Sequence, residues 1–249
     1  MIKYSQTIRY KNLNKNLETL NNNILIELML DANATDKLNT NKHLKKIKKL
    51  CGERIVCIHS ASHSLDLGSK DDFIREYSLN KVLGGIKIAK KLGVCEFVFH
   101  TTCMPFMPEA GFNNWLKLSK PSFDRIINKC VKNNIIPLIE NTYEKNSILF
   151  DILFDKYKEL YMCFDIGHVN CFSKAGYDDY IEKFSNKIKV VHIHDNTGEE
   201  DSHLDLLKGN IKIENILIKF KNHKQIRFNL ETNVDNFQYN EKILKEILN

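Results

Sequence analysis

Eight short apolar runs, each followed by a helical pattern, limit the fold of this chain more than any other feature. Runs rich in β-branched and aromatic residues occur at IKYSQTI (2–8), ILIELML (24–30), RIVCIHS (54–60), CEFVFHT (95–101), IIPLIEN (135–141), LYMCFDI (160–166), KVVHIHD (189–195) and IRFNLET (226–232). Their length and composition predict buried strands. Amphipathic helical patterns lie between them. The clearest is DDFIREYSLNKVLGGIKIAKKLG (71–93), with acids in its first turn and a closing glycine. Others are SFDRIINKCVKNN (122–134), YDDYIEKFSNKI (177–188) and NEKILKEIL (240–248). Such alternation predicts a parallel sheet covered by helices. Eight units in 249 residues predict a (β/α)8 TIM barrel, a single domain over residues 1–249. A doubly wound open sheet is the competing arrangement.

With 43% hydrophobic residues the chain is able to fill such a core, and a formal charge of +6 admits anionic partners without requiring them. The basic run KHLKKIKKL (42–50) places Leu44, Ile47 and Leu50 on one helical face and reads as a solvated helix. Seven cysteines without a CxxC pair argue against a disulfide framework and for a reducing, cytoplasmic location. Cys57, Cys95 and Cys163 fall inside apolar runs and are expected to be buried thiols. No run is long enough to cross a bilayer and MIKYSQTIRYKN has no apolar signal segment, so no membrane partner is expected.

The ends of the predicted strands share a chemistry. His59 closes the third, His100 the fourth and Glu140 the fifth; the sixth supplies Asp165, with His168 three residues later. The seventh supplies His192 and then His194–Asp195, its loop adds Asp201 and His203, and the eighth ends at Glu231. One histidine at a strand end is ordinarily a structural hydrogen-bonding residue. The set differs, because a barrel gathers its strand ends into one mouth. Like charges crowded there destabilise one another, and a divalent cation removes the conflict. Imidazole and carboxylate together suit Zn²⁺, Mn²⁺, Fe²⁺ or Co²⁺ better than Ca²⁺ or Mg²⁺. His192 and His194 share a strand face, so one suffices as a ligand and the other is left to orient substrate or to support a ligand.

Taken in order, IEL (26–28), IHSASHSLDLGSKDDFIR (58–75), AKKLGVCEFVFH (89–100), LIENT (138–142), FDIGH (164–168), VHIHDN (191–196), DSHLDLLKGNI (201–211) and LET (230–232) resemble the xylose isomerase-like TIM barrels. That group includes sugar and sugar phosphate isomerases and epimerases, and endonuclease IV. The resemblance implies a core metal site at Glu140, Asp165, His192 and Glu231. It also implies that Glu140 and Glu231 are catalytic, exchanging protons beside a carbonyl or hydroxyl of the substrate. Likeness to endonuclease IV implies three zinc ions. His59, His100 and Glu140 would serve one, the core four a second, and His168, Asp201 and His203 a third.

The chain departs from endonuclease IV at three places. Tyr143-Glu144-Lys145-Asn146 replaces a glycine-containing turn, HSAS replaces HAPY so that Ser62 with adjacent His63 stands where an aromatic probes DNA, and Tyr4-Ser5-Gln6-Thr7 lacks a histidine. The expected activity is therefore a metal-dependent isomerase or epimerase acting on a small sugar, sugar phosphate or polyol. It would use one to three Zn²⁺ or Mn²⁺ ions. His63, His194, Asp195 and Lys208 are the expected substrate-binding residues, Lys208 beside Gly209 as a phosphate contact. The alternatives are an endonuclease IV-like phosphodiesterase with DNA as partner, and a metal-binding barrel with other or no catalytic activity.

Overall fold

A computed structural model describes residues 3–38, 40–105 and 107–249, so Ile2 of the first predicted run lies outside the described residues. The strands are β1 (Lys3–Arg9), β2 (Leu25–Met29), β3 (Ile55–His59), β4 (Glu96–His100), β5 (Ile136–Glu140), β6 (Tyr161–Asp165), β7 (Ile188–Ile193) and β8 (Arg227–Leu230). They pair in sequence order and in parallel, and β1 pairs with β8 through Ser5 opposite Asn229, closing the barrel. Closure removes the open-sheet alternative. The fold is a single-domain (β/α)8 TIM barrel.

Side chains alternate across each strand. Outward residues such as Ile26, Ile58, Phe97, Phe99, Ile139, Phe164 and Val191 join the main core beneath the helices. Inward residues Cys57, Val98, Leu138, Cys163 and Val190 form a separate small core inside the barrel. Two residues farther along the same strands stand His59, His100, Glu140, Asp165 and His192. The period that packs the barrel interior thus also delivers the polar mouth.

The helix Asp72–Leu92 is capped as its sequence suggests. Asp71 accepts from the N–H groups of Phe73 and Ile74 at 2.8 and 3.3 Å, and Gly93 adopts the left-handed conformation at φ 78°. Other helices depart from expectation. The helix expected from residue 122 runs over Glu109–Val131 with Pro121 inside it. Proline interrupts the backbone ladder, but buried Trp115, Phe123 and Ile126 hold both halves to the core. The pattern at 177–188 ends as a helix at Phe184, leaving Ile188 to begin β7.

In the basic helix Asn41–Cys51, Leu44, Ile47 and Cys51 are buried while Leu50 is 42% exposed. The buried face follows i, i+3, i+7 spacing, which carries it from Leu44 to Cys51 and past Leu50. Cys57 and Cys163 are buried thiols, but Cys95 is exposed, because it precedes β4 and does not enter the barrel. All seven cysteines are free. Among the described residues no helix is long and apolar enough to cross a membrane.

Candidate metal centre

Glu140 lies at the centre of the mouth. Its Oε2 is 2.9 Å from His100 Nε2 and 3.2 Å from His59 Nε2, and these two nitrogens are 3.0 Å apart. Its other oxygen, Oε1, is 3.2 Å from His192 Nδ1 and 3.5 Å from His168 Nδ1. His192 Nδ1 also lies 3.3 Å from Glu231 Oε1 and 3.8 Å from Asp165 Oδ2. Two compact donor groups share Glu140: His59 with His100, and Asp165 with His192 and Glu231. Ligands bound at 2.0–2.1 Å stand about 3.3 Å apart around a tetrahedral ion and about 2.9 Å apart around an octahedral one. The observed spacing matches a shared metal shell.

Two further groups overlap at His194, one with Asp165 and His168 and the other with Asp201 and His203, and Asp201 Oδ2 lies 3.2 Å from His168 Nε2 and 3.1 Å from His203 Nε2. His194 belongs to both. Its Nε2 is 3.3 Å from Asp165 Oδ1 and 3.5 Å from Asp201 Oδ1, and its ring stacks on His203 at 4.0 Å. His194 follows the last residue of β7 and is fully buried. Gly167 makes room for it, since a Cβ there would meet His194 Cε1 at 2.0 Å. Gly167→Ala is therefore expected to displace His194 and to weaken metal binding by about 10-fold or more. A zinc titration matching wild type would rule out this close fit.

The ring nitrogens are sorted in the manner of metal ligands, which bind through one nitrogen and donate from the other. His168 directs Nδ1 to the carbonyl of Asn141 and His203 directs Nδ1 to the carbonyl of Glu231, each at 2.9 Å. His59 directs Nδ1 to Glu27 Oε1 at 3.1 Å. Their Nε2 atoms face the shared donors.

Several buried atoms make no hydrogen bond: Glu140 Oε2, Asp165 Oδ2, His192 Nε2, both ring nitrogens of His194 and Asp201 Oδ1. Some lie within ion-pair distance of a neighbour but off the bonding axis, as expected of lone pairs aimed at a common point. An unsatisfied buried polar group costs about 1–3 kcal/mol, and divalent cations held in these donor groups would satisfy the carboxylate oxygens and one ring nitrogen of His194. The residues present fit a metal.

Charge follows the same logic. Burial raises the Glu140 and Glu27 carboxyls, but the facing histidines hold both well below the ordinary range. Burial lowers His59, yet Glu140 and Glu27 lift it to about 10; His203 rises to about 9 against burial through Asp201 and Glu231. His100 moves the other way, lowered by burial and by His59 and His168. Protons and metal compete for these lone pairs, so metal uptake releases protons.

The family profile for the xylose isomerase-like TIM barrel matches residues 25–249. The chain belongs to that family. An uncharacterized protein of Methanocaldococcus jannaschii is 29% identical over 212 residues, covering 82% of this chain and 80% of the relative. A protein of Aquifex aeolicus described as a probable endonuclease 4 is 25% identical, covering 86% and 83%. The crystal structure of a D-tagatose 3-epimerase-like protein superposes with a TM-score of 0.84 at 23% identity, covering 99% and 97%.

In this xylose isomerase-like barrel the nine metal-ligand candidates and His194 converge on one mouth. The other expected substrate residues are not part of these donor groups. Asp195 is fully buried and commits its carboxylate to the N–H groups of Asn196, Gly209 and Ile211, at 2.9, 2.9 and 3.2 Å. These bonds fold the loop after β7. Lys208 is exposed, with Nζ 5.5 Å from the Tyr239 ring. His63 is exposed beside a cavity of about 220 Å³ that Arg9, Met29 and Asp31 also line.

A larger cavity of about 520 Å³ adjoins Asp201, His203 and Glu231 and is lined further by Thr7, Arg9, Asn12 and Lys15. Two residues at the centre escaped the sequence reading, Glu27 and Arg227, both buried inside the barrel. The available signal for Glu27 was an acid in mid-run in ILIELML.

Proposed function

We propose that this barrel is a divalent-metal-dependent isomerase or epimerase acting on a small sugar, sugar phosphate or polyol, with Zn²⁺ or Mn²⁺ as its metal. The observation that carries the reading is the placement of Glu140 and Glu231. They come from β5 and β8, on different sides of the mouth, and meet in one donor group with Asp165 and His192. When bound there, the cation would polarise substrate oxygens. One glutamate takes the proton from the carbon beside the carbonyl, breaking the C–H bond. The other returns a proton to that carbon from the opposite face, re-forming the bond with inverted configuration, or to the former carbonyl carbon while a proton passes from the adjacent hydroxyl to the former carbonyl oxygen.

The adjoining cavity of about 520 Å³ has the size of a small-molecule site. Arg9 and Lys15 on its wall would suit a phosphate or another anionic group. The relative of D-tagatose 3-epimerase-like description supports the same reading.

An endonuclease IV-like phosphodiesterase is the second reading. It is favoured by the third donor group at Asp201, which an isomerase with one metal does not use, and by the Aquifex relative. The deciding experiment incubates the metal-loaded protein with ketoses, ketose phosphates and keto-inositols in D₂O. Deuterium entering at carbon next to the carbonyl is expected. Cleavage of abasic-site DNA without any deuterium uptake would overturn the first reading and select the second.

A further inference from the structure

Arg227 lies at the start of β8, buried beneath the donor groups. We propose that it roots a hydrogen-bond relay that holds the ligand shell from below, making Thr7 and Glu27 positioning residues for metal binding. One arm climbs between β1 and β8. Arg227 Nη1 donates to Ser5 Oγ, and Ser5 Oγ donates to Asn229 Oδ1 at 2.7 Å. Asn229 Nδ2 donates to Thr7 Oγ1 at 2.7 Å, and Thr7 Oγ1 donates to Glu231 Oε1 at 2.9 Å. A guanidinium only donates, so each hydroxyl above it accepts from below and passes its own hydrogen upward. The direction of the arm is fixed, and its last hydrogen bond pins one oxygen of Glu231.

The second arm runs through Glu27. Arg227 Nη2 donates to Glu27 Oε2 at 3.0 Å. Glu27 Oε1 then faces two histidines from different donor groups, His59 Nδ1 at 3.1 Å and His192 Nε2 at 2.9 Å. The first is an aligned hydrogen bond; the second contact lies off the ring N–H axis. One carboxylate therefore selects Nε2 of His59 and Nδ1 of His192 as the atoms that face Glu140. Glu27 is within range of a fourth donor cluster with His59, His192 and Glu231. The guanidinium 3.0 Å away already occupies its Oε2 and would repel a cation bound to it, so the geometry favours support over ligation.

This inference rests on the metal-centre reading and not on the reaction. The test titrates metal-free wild type, Thr7→Val, Thr7→Ser and Glu27→Gln with Zn²⁺ against a chromophoric chelator, and records the Co²⁺ absorption spectrum of each. Outer partners of metal ligands are worth about 10–100-fold in affinity. Thr7→Val is expected to lose about 10-fold, Thr7→Ser to recover it, and Glu27→Gln to lose 10–100-fold with a shifted Co²⁺ spectrum. The number of ions bound at saturation should not change.

Variants within twofold of wild type would overturn the relay alone. One ion fewer in Glu27→Gln would make Glu27 a ligand and overturn its positioning role. A wild-type protein that takes up no divalent ion would overturn the metal reading, and the relay with it.

Discussion

Glu140→Gln is expected to lose bound metal and turnover together. Each oxygen of Glu140 faces two histidines, Oε2 toward His59 and His100 and Oε1 toward His192 and His168. Glutamine keeps the volume but carries no charge and offers a single acceptor oxygen. Whichever way the amide lies, an NH₂ group confronts one pair of histidines, and both donor groups lose their shared carboxylate. Removing the residue proposed to move the proton should also lower kcat/KM by about 10³-fold or more. Elemental analysis after dialysis, with kcat/KM on whichever substrate exchanges deuterium, checks both halves. Full ion content with near wild-type turnover would remove Glu140 from both roles. Circular dichroism melting separates this from loss of fold.

Arg227→Met is expected to be the most destabilising single change in the barrel interior. Arg227 donates to Glu27 at 3.0 Å and through two nitrogens to Glu96 at 2.7 and 2.9 Å. Methionine fills much of the space but leaves Glu27 fully buried beside no guanidinium. Breaking a buried pair from one side costs about 3–5 kcal/mol, because an uncompensated charge remains. For a domain of this size that lowers Tm by about 6–20 °C. Combining Arg227→Met with Glu27→Gln should restore part of the loss, since both charges are then gone. A loss below about 1 kcal/mol in the single variant would show that His59 and His192 neutralise Glu27 unaided.

Arg227 and Glu27 also mark how far the sequence could be read. Strands were legible because alternation and β-branching are local properties, and the eight runs coincide with the eight strands. The strand-end residues were legible for a related reason. A histidine or carboxylate in phase with Cys57, Val98, Leu138, Cys163 and Val190 lies on the inward row of its strand. A lone acid in mid-run in ILIELML signals burial but not its partner, and the arginine second in IRFNLET has no local feature that separates a buried ion pair from a strand end in solvent. The helix from Glu109 was read only from residue 122, and it continues through Pro121 because the packing that outweighs the proline's local backbone effect is not local. Cys95 and Leu50 failed similarly, each one residue off a boundary or face.

The amino-acid sequence by itself determined the eight strand–helix units, the inward phase of the polar strand ends and membership of a metal-binding barrel family. Tertiary closure decided which of those ends touch. It set Ser5 against Asn229 and Thr7 against Glu231, each pair 224 residues apart, and brought Arg227 under Glu27, 200 residues away. It also turned Asp195 into its own loop and packed His194 over Gly167 among the ligand candidates. The physical reason is one of range. Side-chain periodicity is set by the backbone over a few residues, whereas donor geometry is set by the register of strands that meet only when the barrel closes.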